Sequence, residues 1–82
     1  MKIKVLGTGC AKCKKLYAEA EKAVAASGVE VDLEKVEKID EIVAYGVMMT
    51  PALVIDEKVV MSGRVASSSD IAKLIATAAG RP

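Results

Sequence analysis

Gly9-Cys10-Ala11-Lys12-Cys13, followed by Lys14 and Lys15, is the stretch on which the reading of this chain turns. It holds the only two cysteines among the 82 residues. They are separated by two residues and come just after a short apolar run, Ile3 to Leu6, that reads as a strand. A long helical pattern starts near Ala11. A pair so spaced at a strand-to-helix junction suits redox chemistry. Residues i and i+3 of a first helical turn sit close enough to close a disulfide. The helix N-terminus carries partial positive charge and N–H groups that stabilise a thiolate. Lys12, Lys14 and Lys15 push the same way. Cys10 is read as the attacking thiol and Cys13 as its resolving partner.

Outward from that pair, Lys2 to Leu6 suits a strand buried on both faces, and Gly7-Thr8-Gly9 breaks it. Ala11 to Ser27 is helical: Cys13, Leu16, Tyr17, Ala20, Ala23 and Val24 recur at spacings of three and four and share one face. Gly28 is a good C-terminal cap. Val29 to Glu34 alternates apolar and acidic, as a strand with one wet face near a sheet edge does. A second helix is expected from Lys38 to Tyr45, with Ile39, Ile42 and Val43 on its buried side and Gly46 ending it. Met48-Met49-Thr50-Pro51 is a loop, and Ala52-Leu53-Val54-Ile55 a central strand. Asp56-Glu57-Lys58 is a tight turn that returns the chain through Val59-Val60-Met61. Ser62-Gly63-Arg64 leaves the sheet. Ser67 or Ser68 caps the last helix, Asp70 lies in its first turn, and Ile71, Leu74, Ile75 and Ala78 form its apolar stripe.

The order is therefore βαβαββα. Two strands joined by a long helix must be parallel with a right-handed crossover, and the last two form an antiparallel hairpin. This is an α/β chain: a four-stranded mixed sheet flanked by three helices, expected to form a single domain over residues 1–82. Its apolar half is Ala, Val, Ile, Leu and Met with no Trp or Phe, which argues for a tightly packed aliphatic core.

The net charge of +1 gives no bulk electrostatic reason to expect a nucleic-acid or membrane partner. No apolar run approaches the ~20 residues of a membrane span. Met1 is followed by a strand pattern with two lysines rather than a secretory signal, so a cytoplasmic protein is expected. In a reducing compartment a lone cysteine pair is catalytic or metal-binding rather than a structural staple. Two thiolates without a histidine fall short of the four ligands of structural zinc, so no metal is assigned. A soft-metal or metalloid binding module using the same pair stands as the alternative function.

The element order, with Cys10-Ala11-Lys12-Cys13 after the first strand and Thr50-Pro51 before the third, resembles the thioredoxin fold in its smallest form. The segments Gly7 to Leu16, Tyr45 to Met48, Thr50 to Ile55 and Ser62 to Val65 are similar to landmarks of the small redox-active disulfide proteins, a thioredoxin- and glutaredoxin-like family. The resemblance implies a cis peptide bond before Pro51, facing the cysteine pair. It implies a substrate-binding edge formed by Thr50 and Pro51, and a groove lined by Gly63; Met49, next to that edge, is read as a substrate contact because a flexible thioether there suits adaptable contacts. It also implies a protein-disulfide reductase that needs no organic cofactor, working as a monomer with an upstream disulfide reductase and disulfide-containing protein substrates. The chain departs from ordinary thioredoxins at three places. Gly9 stands where they have Trp, the intervening dipeptide is Ala11-Lys12, and Lys2 to Leu6 carries no acidic residue. Lys12 is expected to modulate the pair, favouring the Cys10 thiolate and raising the potential somewhat above thioredoxin's.

Overall fold

The computed structural model describes residues 1–9 and 11–80. The elements are β1 (Lys2–Leu6), α1 (Ala11–Ser27), β2 (Asp32–Val36), α2 (Ile39–Ala44), β3 (Ala52–Ile55), β4 (Lys58–Ser62) and α3 (Ser68–Ala78). The four strands form one sheet in the order β2-β1-β3-β4. β1 runs parallel to β2 and antiparallel to β3, and β3 is antiparallel to β4. The expected βαβαββα mixed sheet is thus the observed fold.

Alternation along the two central strands sends side chains to two unequal cores. Ile3 and Val5 of β1 and Leu53 and Ile55 of β3 meet Leu16, Ala20 and Ala23 of α1 and Ile71 and Ile75 of α3. Leu6, Ala52 and Val54 point the other way, to a smaller cluster with Val36, Ile42 and Val47. Each fully buried Leu or Ile contributes about 1.5–3 kcal/mol by leaving water, so the α1–α3 side carries most of the apolar driving force. α3 starts where its sequence says it should: the Ser67 side chain accepts the Asp70 N–H at 3.2 Å. Glu19, from the middle of α1, also accepts the Ser68 N–H at 3.0 Å, which ties the two helices.

Three expectations change. β2 begins at Asp32 rather than Val29, because β1 starts only at Lys2, the partner of Asp32. Residues ahead of Asp32 have only Met1 to pair with: the Asp32 N–H donates to the Met1 carbonyl at 2.8 Å. Val29, Val31 and Leu33 still pack, partly buried, on the α1–α3 core. The hairpin turn is two residues long, since Ile55 pairs with Lys58. Asp56 and Glu57 both take positive φ, at 47° and 69°, as a tight hairpin turn of this hand requires.

The third change concerns α2. Ile42 is buried, but Ile39 is 67% and Val43 62% exposed, so they do not line its inner side. The helix has only six residues and presents one of them to the sheet. Val47 and Tyr45, beyond its end, occupy the remaining room in the small cluster.

Candidate active site

All four strands end or begin at one edge of the sheet, and the register shows which residues meet there. Leu6 pairs with both Val36 and Ala52, and Ala52 pairs with Ser62. One residue further on, the Gly7 N–H donates to the Val36 carbonyl and the Gly63 N–H to the Pro51 carbonyl, each at 2.9 Å. Glu37, Gly7, Pro51 and Gly63 therefore follow one another across this edge, and α1 starts beside it.

Cys13, in the first turn of α1, is buried at 6% exposure. Its sulfur packs directly on the backbone of Gly7: a Cβ placed on Gly7 would lie 2.3 Å from Sγ and 2.9 Å from the Cys13 Cβ. Cys10 lies outside the described residues. Lys12, Lys14 and Lys15 are exposed, as charged residues on the outer face of a first helical turn are. A cavity of about 50 Å³ opens beside Cys13, walled by Val5, Gly7 and Gly9 and rimmed by Lys14, Lys35 and Glu37. The Lys35 ammonium is held 4.6 Å from the centroid of the Tyr17 ring, which fixes that side of the rim.

On the other side of Gly7, the Thr50–Pro51 peptide bond is cis and Pro51 is fully buried, while Thr50 is exposed. Gly63 has φ +78°, and its Cα side is covered by Met49, whose Cβ, Cε and Sδ lie 3.3, 3.4 and 3.5 Å from where a Cβ would stand. Met48 next to it is 98% exposed. Met49, Thr50, Pro51 and Gly63 are thus brought together, on the same sheet edge as Gly7, the residue against which Cys13 packs.

Three residues at this edge escaped the sequence reading. Gly7 reads from the sequence as a strand breaker and as the first residue of the family-like segment, not as a contact of Cys13. Lys35 and Glu37 are not singled out by the pattern, although Lys35 is where the strict alternation of Val29 to Glu34 fails. Their signal is the parallel register: whatever follows the β2 residue paired with the end of β1 must face the start of α1.

A second polar cluster stands apart from the site, on the α2 side of the sheet. The Lys4 ammonium donates to Tyr45 Oη and, at 3.0 Å, to Glu57 Oε1, and the Tyr45 hydroxyl donates to Glu57 Oε2 at 3.0 Å. The Tyr45 and then the Glu57 hydrogen bonds raise the Lys4 pKa far above its ordinary value. Lys4, followed by Tyr45, lowers that of Glu57. The cluster pins the hairpin turn and the end of α2 to β1.

A mixed sheet in the order β2-β1-β3-β4, with a helix-borne cysteine against Gly7 and a cis-proline on the same sheet edge, is a thioredoxin-like architecture. Comparison of sequences agrees. A family model described as a thioredoxin domain matches residues 1–76. A thioredoxin of Methanothermobacter thermautotrophicus is 39% identical over 75 residues, covering 92% of this chain and 97% of the relative. A thioredoxin of Methanocaldococcus jannaschii is 35% identical over 69 residues, covering 84% and 79%. The chain belongs to the thioredoxin family, and at family level its chemistry is thiol–disulfide exchange. Among the described residues, no helix is long and apolar enough to cross a membrane.

Proposed function

We propose that this chain is a cytoplasmic protein-disulfide reductase working as a single domain through a Cys10–Cys13 couple. The Cys10 thiolate attacks one sulfur of a substrate disulfide, forming a mixed disulfide and releasing the other substrate sulfur as a thiolate, which takes a proton from solvent. Cys13, once deprotonated, attacks the Cys10 sulfur. The Cys10–Cys13 disulfide forms, the second substrate thiolate leaves, and two electrons have passed to the substrate. An upstream disulfide reductase restores the dithiol, and no organic cofactor takes part.

The observation that carries this reading is the position of Cys13: buried against Gly7, at the edge where Met49, Thr50, Pro51 and Gly63 converge. A resolving thiol should be shielded in this way, reachable by a neighbouring sulfur and not by bulk reagents. Exposed Met48 and Met49 offer adaptable thioether contacts to a docked polypeptide, and Thr50 beside them is exposed as well.

The test is to equilibrate the protein in thiol buffers and count alkylated cysteines by mass. A reversible two-electron couple at roughly −270 mV, or somewhat above, supports a reductase. Cys10→Ser should abolish turnover, and Cys13→Ser should accumulate mixed disulfides. If no intramolecular disulfide forms at any poise, the assignment fails and soft-metal binding by the same pair replaces it.

A further inference from the structure

We propose that Met49 is a peroxide-sensitive modification site: oxidation of its thioether to the sulfoxide weakens docking of protein disulfides and leaves the cysteine chemistry intact. This rests on the protein-disulfide reductase reading above and adds to it a control on the docking edge.

The chain has four methionines, Met1, Met48, Met49 and Met61, and the fold sorts them. Met61 lies in the α1–α3 core at 7% exposure, and Met1 packs, partly buried, on the same core. Met48 stands almost wholly in solvent, and Met49 is 65% exposed. Both come just before the cis Thr50–Pro51 bond. The two thioethers most open to an oxidant are therefore the two at the docking edge. A thioether has no proton to lose, so access to its sulfur governs its oxidation.

The two exposed side chains differ in what an added oxygen would disturb. On Met48 the oxygen is hydrated at once. Met49 covers Gly63: its Cβ, Cε and Sδ lie 3.3, 3.4 and 3.5 Å from where a Cβ on Gly63 would stand. Gly63 is itself held beside the cis-proline, its N–H donating to the Pro51 carbonyl at 2.9 Å. The Met49 thioether is thus an apolar wall of the groove over Gly63. The sulfoxide is strongly polar, and its oxygen needs water or a donor. Either the side chain lifts off Gly63 to keep that oxygen wet, or a docked polypeptide buries it without a partner. Both weaken docking.

The step balances. The Met49 sulfur attacks one oxygen of a hydroperoxide. The S–O bond forms, the O–O bond breaks, and the departing oxygen takes the proton and leaves as water or an alcohol. Sulfur is oxidised by two electrons and the peroxide is reduced by two. A dithiol-driven methionine sulfoxide reductase reverses the change, releasing the oxygen as water and leaving a disulfide.

The protein in its disulfide form, with the cysteines protected, is treated with hydrogen peroxide, and oxygen at each methionine is followed by peptide mass. Met48 and Met49 should convert at least about tenfold faster than Met61. Dithiothreitol, which leaves sulfoxides in place, then restores the dithiol. Insulin serves as the protein disulfide and 5,5′-dithiobis(2-nitrobenzoate) as the small one. With Met49 converted, KM for insulin should rise about 5- to 10-fold, while the rate with the small reagent stays within about twofold. Met49→Leu keeps the volume and lacks the sulfur, so peroxide should no longer raise its KM. Met48→Leu should respond to peroxide as the unsubstituted protein does. Three results each overturn the assignment: Met49 oxidising no faster than Met61, an insulin KM within about twofold after full conversion, or a rise that persists in Met49→Leu. So does an equal loss on both substrates, which reports damage at the cysteines. If the untreated protein reduces neither substrate, the reductase reading itself has failed, and the role of Met49 falls with it.

Discussion

Gly7 and Cys13 touch so closely that a Cβ on the first would lie 2.3 Å from the sulfur of the second. The residue that follows β1 has no side chain because the buried thiol of α1 occupies that space. Gly7→Ala should therefore push α1 or the thiol aside and cost about 1–3 kcal/mol, the usual penalty for overpacking. Urea unfolding gives the cost, and alkylation kinetics of Cys13 should show the sulfur more accessible. An unchanged midpoint with unchanged alkylation would mean that the contact relaxes freely.

Gly63 combines a left-handed φ of +78° with the Met49 side chain packed over it. Gly63→Ala brings about 1 kcal/mol of backbone strain and also displaces Met49. The expected result is a raised KM for a protein disulfide with little change in the rate towards a small disulfide reagent. Equal losses on both substrates would place the effect on the cysteines and not on docking.

Ile39 and Val43 sit on α2 beside Ile42, and the three should respond very differently. Ile42→Ala removes a buried side chain and should cost about 2–5 kcal/mol. Ile39→Ser and Val43→Ser, at exposed positions, should stay within about 0.5 kcal/mol. Denaturant midpoints decide it. A large cost at position 39 or 43 would show that α2 turns its other side to the sheet.

Two carboxylates tie stability to acid. The Ser68 N–H, and then Lys22, hold the Glu19 pKa below its ordinary value, as Lys4, and then Tyr45, hold that of Glu57. Because both are lower in the folded state, the unfolded chain binds protons first. Their contribution is complete above the ordinary carboxylate range, near about pH 4.3, and is lost as pH falls through the lower folded values. Glu57 is exposed and Glu19 half-buried, so salt should shrink the effect most at Glu57. Urea midpoints from neutral to low pH should fall less steeply for the Glu19→Gln, Glu57→Gln double variant than for the parent. Parallel curves would remove these two groups from the acid response.

Lys12 stands between the two cysteines in sequence and is exposed. A positive charge that favours the Cys10 thiolate stabilises the dithiol form. Lys12→Glu should shift the midpoint by about 10–30 mV towards more reducing values. A shift in the opposite sense, or none, would leave the lysine as a solvated surface charge.

The legible parts of this chain were those where one local pattern admits one structure. The spacing of Cys13, Leu16, Ala20 and Ala23 could only be a helix face, and their burial agrees. The unbroken run Ala52 to Ile55 could only be an interior strand, and all four residues are buried. α2 misled because six residues contain too little periodicity to say which apolar side chain faces inward, and the competitors, Tyr45 and Val47, come from outside the helix. The start of β2 misled because its alternation extends further than its partner: Val29 and Val31 have the pattern of a strand and almost no β1 beside them.

By itself, the sequence determined the order of elements, the parallel and antiparallel pairings, and the place of Cys13 in the first turn of α1. Each follows from periodicity, chain length between strands and the chemistry of one short segment. Only the tertiary structure decided that Gly7 forms the floor beneath Cys13, that Met49 covers Gly63, and that Glu37 and Lys35 border the thiol. The physical reason is register. Which residues share a strand edge depends on how four strands of unequal length align, and that alignment is set by packing two faces of the sheet at once, not by any local run of residues.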